Sequence, residues 1–153
     1  MNRFQQLMNG YAAYHTKNIT KFTHLIGITY IIIGLQVLFF IPTINIMSQP
    51  VALAPVLLMF VSLYYFTLNA ALALFTSLYL SILTMLSYIL YLYGTPVTMF
   101  AELFVFGWLL QFIGHYFEGK KPAFLEDMRL SFVAPMFVVH ELKDLIIAKY
   151  DRV

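Results

Sequence analysis

From Phe22 to His115 the chain holds no Lys, Arg or Asp, and its one Glu in that stretch is Glu102. No ordinary water-soluble fold leaves so long a run uncharged: soluble domains carry roughly 25% charged residues, against 10% here. About 20 apolar residues cross the hydrocarbon core as a helix, so the run has room for four crossings. Turn and breaker residues divide it. The first span is expected over Phe22–Ile41, ended by Pro42. The second covers Val51–Thr67, the third Ala70–Tyr93 after a tight turn at Asn69, and the fourth Val97–His115.

Segments of a different character flank this run. Residues 1–21 are polar and expected to be partly helical. No cleavable signal is expected in them, because the first apolar run is long enough to stay in the bilayer. After His115 comes the charged stretch GKKPAFLEDMR, then Ser131–Val153, read as an interfacial or half-inserted helix beginning near Pro135. The expected fold is an all-α integral membrane helical bundle, one membrane domain over 1–153. It has about four transmembrane helices (22–115) between a cytoplasmic N-terminal segment (1–21) and a cytoplasmic or interfacial C-terminal segment (116–153).

Orientation follows from charge. With four spans both termini share a side, and all nine Lys and Arg fall there; the loops Thr43–Pro50 and Gly94–Pro96 carry none. The positive-inside rule makes the charged side cytoplasmic. That means the inner membrane in a bacterium, or the endoplasmic reticulum in a eukaryote.

Several chemistries are excluded. Without cysteine there is no disulfide, thiolate nucleophile or Cys-bound cluster. A net charge of +2 does not point to nucleic acid. Neither a Gly-rich phosphate loop nor a Ser-nucleophile elbow is present. Any metal must be held by imidazole or oxygen ligands.

The four histidines are then the informative residues. His15 precedes the first span, His24 opens it, His115 closes the fourth, and His140 lies beside Glu141 on the C-terminal segment. The topology puts all four near one membrane edge. On the fourth span Trp108, Gln111, His115 and Glu118 fall within a sector of about 80°, at 100° per residue. A polar stripe facing lipid is costly, so this one is expected to face the bundle interior. His115 and Glu118 can then present imidazole and carboxylate together, as two metal ligands or as a ligand and its partner. His15 and His24 are nine apart and share a site only if the chain bends between them, or if the site lies between helices. Asn18 shares the face of His15 as a ligand or orienting amide. Glu102 lies about 140° from His115 on the wheel and outside this cluster.

Three blocks carry a resemblance: Tyr14-His15-x-x-Asn18 with His24-Leu25-Ile26-Gly27, then WLLQFIGHYFEGKKPAF from Trp108, then SFVAPMFVVHE ending at Glu141. Together they resemble the 2-hydroxy fatty acid dioxygenase family of fungal phytosphingosine breakdown, which has bacterial members. The resemblance covers nearly the whole chain and is most specific in the second block. It implies an Fe(II)-dependent membrane enzyme that uses O2 to shorten 2-hydroxy fatty acids by one carbon. It implies His15, His24 and His115 as the iron-binding histidines, with Glu118 and Glu141 at acidic catalytic positions. His140 has no counterpart in the family's motifs, and Thr29 stands where the family often has proline.

The residues agree with such chemistry. Ferrous iron accepts imidazole and carboxylate, and an amphiphilic acid among membrane lipids would lie with its head at the depth of the histidines. Substrate contacts are expected from Asn18, Trp108, Gln111, Lys120 and Lys121. Among the alternatives, a membrane di-iron hydroxylase needs more histidines in tighter clusters. A bis-His haem carrier needs facing ligands at membrane depth, and a small transporter needs polar residues near the midplane.

Overall fold

The computed structural model describes residues 3–122, 125 and 127–150, with side chains described to residue 144. The C-terminal tip of the last expected segment, with Arg152, lies outside the described residues, as do Ala123 and Phe124 of the second motif block. The chain order is α1 (Arg3–Ala12), α2 (Asn18–Phe39), β1 (Thr43–Ile46), β2 (Gln49–Ala52), α3 (Leu53–Leu68), α4 (Ala70–Tyr93), α5 (Pro96–Glu118) and α6 (Arg129–Tyr150).

The sequence signals at several boundaries act as their chemistry dictates. Asn69 alone separates α3 from α4, and its side-chain oxygen accepts from Leu72 N at 3.0 Å, capping α4. Pro96 occupies the first turn of α5, where a missing N–H costs nothing. Gly119 takes the left-handed conformation at φ 74°, and its N–H closes on His115 O at 3.0 Å, ending α5.

Three expectations are corrected. The loop Thr43–Pro50 is instead an antiparallel hairpin, pairing Thr43 with Ala52 and Ile46 with Gln49. The hairpin takes Val51 and Ala52, so the second apolar helix begins at Leu53. The C-terminal helix begins at Arg129, six residues before Pro135, which sits inside it. Its start is fixed by Asp127, whose carboxylate accepts from Arg129 N at 2.9 Å and is also gripped by the Arg129 guanidinium. The first span begins earlier than expected, at Asn18, because Thr20 and Lys21 turn into the helix with the apolar run.

Among the described residues α2, α4 and α5 are long and apolar enough to cross a membrane. At 16 residues α3 rises about 24 Å, short of the roughly 30 Å hydrocarbon core. The four helices nevertheless alternate in direction. Phe40, just past the end of α2, packs on Tyr88 and Tyr91 near the end of α4. At the opposite end, the Tyr65 hydroxyl near the end of α3 donates to Phe132 O of α6 at 2.7 Å.

Helices α2 and α5 form the closest pair. A Cβ at Gly27 would lie 2.8 Å from Gly107 O, and one at Gly107 would lie 2.7 Å from Gly27 O, so only two glycines permit this crossing. Helix α4 packs on α2, where the buried Ser87 hydroxyl lies 3.3 Å from Ile33 O and 3.2 Å from Gln36 Oε1 of α2. Helix α6 packs against α1, α2 and α4, burying Val133, Met136 and Val138 almost completely. The solvent logic is inverted. Leu74, Phe75, Leu78, Ile82 and Met85 of α4 face outward, while Thr20, His24, Thr76, Ser87, Gln111 and His115 are buried. This is an all-α bundle built for a lipid exterior.

Candidate metal centre

The chain bends between His15 and His24, as their spacing requires. Helix α1 tightens at its end, with Tyr14 N on Tyr11 O and His15 N on Ala12 O, and residues 13–17 then turn into α2. His15 hangs from this bend, His24 lies nearly two turns into α2, and His115 comes from the last turn of α5. All three are buried, at 2%, 2% and 6% exposure.

Their rings converge. Centroids lie 4.4 Å apart for His15 and His24, 4.6 Å for His24 and His115, and 5.3 Å for His15 and His115. One ligand atom from each ring lies within 4.8 Å of the others. Gly114 makes this possible: a Cβ there would sit 2.3 Å from Thr23 Oγ1 and 2.9 Å from His24 Nδ1.

Hydrogen bonds fix the tautomers. His15 Nδ1 lies 2.7 Å from Tyr11 O and His24 Nδ1 lies 2.9 Å from Thr20 O. A carbonyl only accepts, so both Nδ1 atoms carry the proton and both Nε2 atoms hold lone pairs. His24 Nε2 faces His115 Nε2 at 3.0 Å, while His15 Nε2 has no hydrogen-bond partner among the described residues. Buried polar atoms are normally satisfied, and here the lone pair of His15 Nε2 is left open within the cluster of three rings. Imidazole nitrogens sit about 2.0–2.1 Å from a bound ion of this class, so two of them 3.0 Å apart suit a shared cation. Burial also pulls the His15 imidazole down to about 4, so at neutral pH it is uncharged and competent as a ligand. The donor set fits a divalent transition metal.

Glu118 lies beside the triad and has a different set of contacts. One carboxylate oxygen accepts from Thr16 N at 3.0 Å and from the Thr16 hydroxyl; the other accepts from Lys17 N at 3.1 Å. Lys120 Nζ donates to Ala13 O at 2.7 Å, and Lys17 Nζ to Phe117 O at 2.6 Å. The end of α5 thus clamps the bend that carries His15. Glu141 pairs with Lys21 at 2.9 Å. His140, half-exposed, stands 3.2 Å from the Asp144 carboxylate and outside the triad.

A cavity of about 300 Å³ opens at the triad. Its head is walled by Tyr11, the three imidazoles and Gln111. Ser131, Ala134 and Pro135 of α6 add a side wall, and Ile28, Ile31, Ile32, Leu35, Phe104 and Trp108 line the rest. Gln111 is buried, and its Nε2 has no partner among the described residues. Asn18, Lys120 and Lys121 are exposed and do not line this cavity. Glu102 is exposed on α5, away from the cluster.

Two contributors were not read from the sequence. Tyr11 stacks on His15 at 4.1 Å and 4°, and Thr20 supplies the carbonyl that orients His24 while its hydroxyl bonds Gly114 O. Both lie four residues before a histidine. A search one helical turn upstream of each candidate ligand would have found them.

Helical membrane architecture and three buried imidazoles at the head of an apolar cavity define a membrane protein with a candidate metal site that faces an apolar cavity. The chain belongs to the Mpo1-like family, described as 2-hydroxy-palmitic acid dioxygenase Mpo1-like, whose model matches residues 1–145. No curated protein and no solved structure matches it.

Proposed function

We propose that the protein is an Fe(II)-dependent dioxygenase that shortens 2-hydroxy fatty acids by one carbon with O2. The observation that carries this reading is the buried triad at the head of an apolar cavity, in a chain of this family. His15, His24 and His115 would hold the ion. Bound ferrous iron supplies open positions at which O2 and an oxygen-bearing substrate meet.

The chain's own groups do the rest. Tyr11 O and Thr20 O hold two imidazoles in the ligating tautomer. Glu118 acts as a positioning residue, keeping the His15 bend against α5. Glu141 supports the same end of α2 through Lys21. Gln111 offers its unpartnered amide to the hydroxyl or carboxylate of the acid, and Trp108 packs beside the chain. The apolar wall excludes water from the reacting end. Asn18, Lys120 and Lys121 would act earlier, drawing the anionic head toward the rim.

The proposed topology puts both termini in the cytoplasm and counts α3 as a crossing, completed by the hairpin before it. The whole of 1–153 then works as one membrane domain.

The test measures iron per chain and O2 uptake on purified protein, with a 2-hydroxy acid and its non-hydroxylated counterpart. Uptake with the first alone, and a product acid one carbon shorter, is the expected result. An iron-loaded protein that consumes no O2 with any 2-hydroxy acid would sink the proposal.

A further inference from the structure

The cavity does not stop at the triad. On α2 its wall runs His24, Ile28, Ile31, Leu35; on α5 it runs His115, Gln111, Trp108, Phe104. Each series spans eleven residue steps, about 16 Å of helix rise. The two helices are antiparallel, so both series descend from the same polar head into the bundle. Polar groups cluster at the top, and the lower walls are aliphatic and aromatic side chains.

The lower end is braced. Phe104 packs on Phe100 below it, with ring centroids 5.1 Å apart, and on Trp108 above it at 6.1 Å. Near this depth α2 and α5 stay closely packed: a Cβ at Gly34 would lie 3.2 Å from Leu103 Cβ and 3.3 Å from Phe100 O. Of the residues lining the cavity, Leu35 and Phe104 lie farthest from the histidines along α2 and α5.

From this we infer that Leu35 and Phe104 form the floor of an acyl shaft and set the chain length the protein prefers. The inference rests on the dioxygenase reading for its occupant, the tail of a 2-hydroxy fatty acid whose head lies at the triad. A carbon–carbon bond is about 1.5 Å and an extended chain advances less than that per carbon. The shaft therefore seats at least about ten carbons, which makes long-chain acids the matching class.

Trp108, the only tryptophan, gives a readout that does not require turnover. It lies about 10 Å of helix rise below His115 and about 6 Å above Phe104. Iron-loaded protein in bromine-free detergent is titrated with 2-hydroxy acids brominated near the head, at mid-chain, or at the tail end. Quenching strongest for mid-chain bromine is expected, reversed by the unbrominated acid. Kd is then measured along a homologous series of saturated 2-hydroxy acids by competition. It should fall about fourfold per added methylene until the floor is reached, and then stop falling.

Phe104→Ala should move that break to longer acids, and Leu35→Trp to shorter ones, with iron per chain unchanged in both. Phe104→Leu is the gentler change in the longer direction if the alanine variant is not monodisperse. Quenching independent of bromine position, or a break at the same length in every variant, overturns the shaft. Position-dependent quenching with a movable break but no O2 uptake upholds the shaft and removes the dioxygenase reading instead.

Discussion

Glu118, the last residue of α5, closes its carboxylate on Thr16, 102 positions earlier, taking both the backbone N–H and the hydroxyl. Hydrogen bonds to a charged acceptor contribute about 1.5–3 kcal/mol each, and this acceptor is buried. Glu118→Gln puts an amide N–H₂ where one of the three donors now points. The bend bearing His15 should loosen, and metal affinity should fall by roughly 10–100-fold, as for other groups that orient ligands. Thr16→Val removes only the hydroxyl contact and should lose less. Metal titration of both variants checks the ranking; equal affinity in Glu118→Gln and wild type would contradict the clamp.

The triad itself makes a sharper prediction. His15→Ala, His24→Ala and His115→Ala each delete one of three converging ligands, so each should lose most of its bound metal and activity together. His140→Ala should keep both, since that ring faces Asp144. Metal per chain on monodisperse protein decides the matter. Full occupancy in both His24→Ala and His115→Ala would place the metal elsewhere.

Acid should act on the apoprotein through His15. Its ordinary value of 6.5 is pulled down to about 4 by burial. Above 6.5 the group is neutral in both folded and unfolded chains and contributes no pH dependence. Between 6.5 and 4 the unfolded chain takes up a proton that the folded one refuses, so stability falls as pH falls. The slope from one group is at most about 1.4 kcal/mol per pH unit. His15→Gln lacks that proton, so its stability should fall less steeply than wild type over this window. Denaturant unfolding in detergent at pH 7 and pH 5 tests the difference, and parallel losses would refute it.

Gln111 should separate binding from metal retention. Gln111→Leu removes the unpartnered amide while filling similar space. Iron per chain should not change, and KM for a 2-hydroxy acid should rise by about tenfold, as for the loss of one hydrogen bond to a charged group. Steady-state kinetics beside metal analysis gives the answer; an unchanged KM would exclude the residue from the head of the site.

Topology is testable by insertion. Reporters at Gln49 and Thr95 should read as outside, and one at Arg129 as inside, because every Lys and Arg then shares the cytoplasmic side. An inside signal at Gln49 would mean that α2 does not cross.

Much of this was legible before any coordinates. The uncharged run from Phe22 to His115 marks the bundle, because a charge in lipid is costly. The stripe Trp108, Gln111, His115, Glu118 is visible at 100° per residue; the last three side chains are buried and Trp108 is half-buried. The hairpin was hidden for a physical reason. Its turn residues, Met47 and Ser48, take positive φ without the Asn-Gly pair that usually announces such a turn. The start of α6 was masked by Pro135, a strong breaker, although Asp127 was a readable helix-start signal. The contacts of Glu118 were not legible either, because a carboxylate's partners depend on a segment a hundred residues away.

The separation of the ligands along the chain sets an order of events during synthesis. His24 and His115 are 91 residues apart. At about 5–20 residues per second, a ribosome needs roughly 5–20 s to deliver the second after the first. Over that interval the newly inserted first helix carries an imidazole, two threonines and a glycine notch with no partner helix to cover them. The finished site is thus a post-translational assembly. Loading with the proposed ion would follow the arrival of α5, and a chain truncated before Gly114 would leave its early helices with an uncovered polar seam.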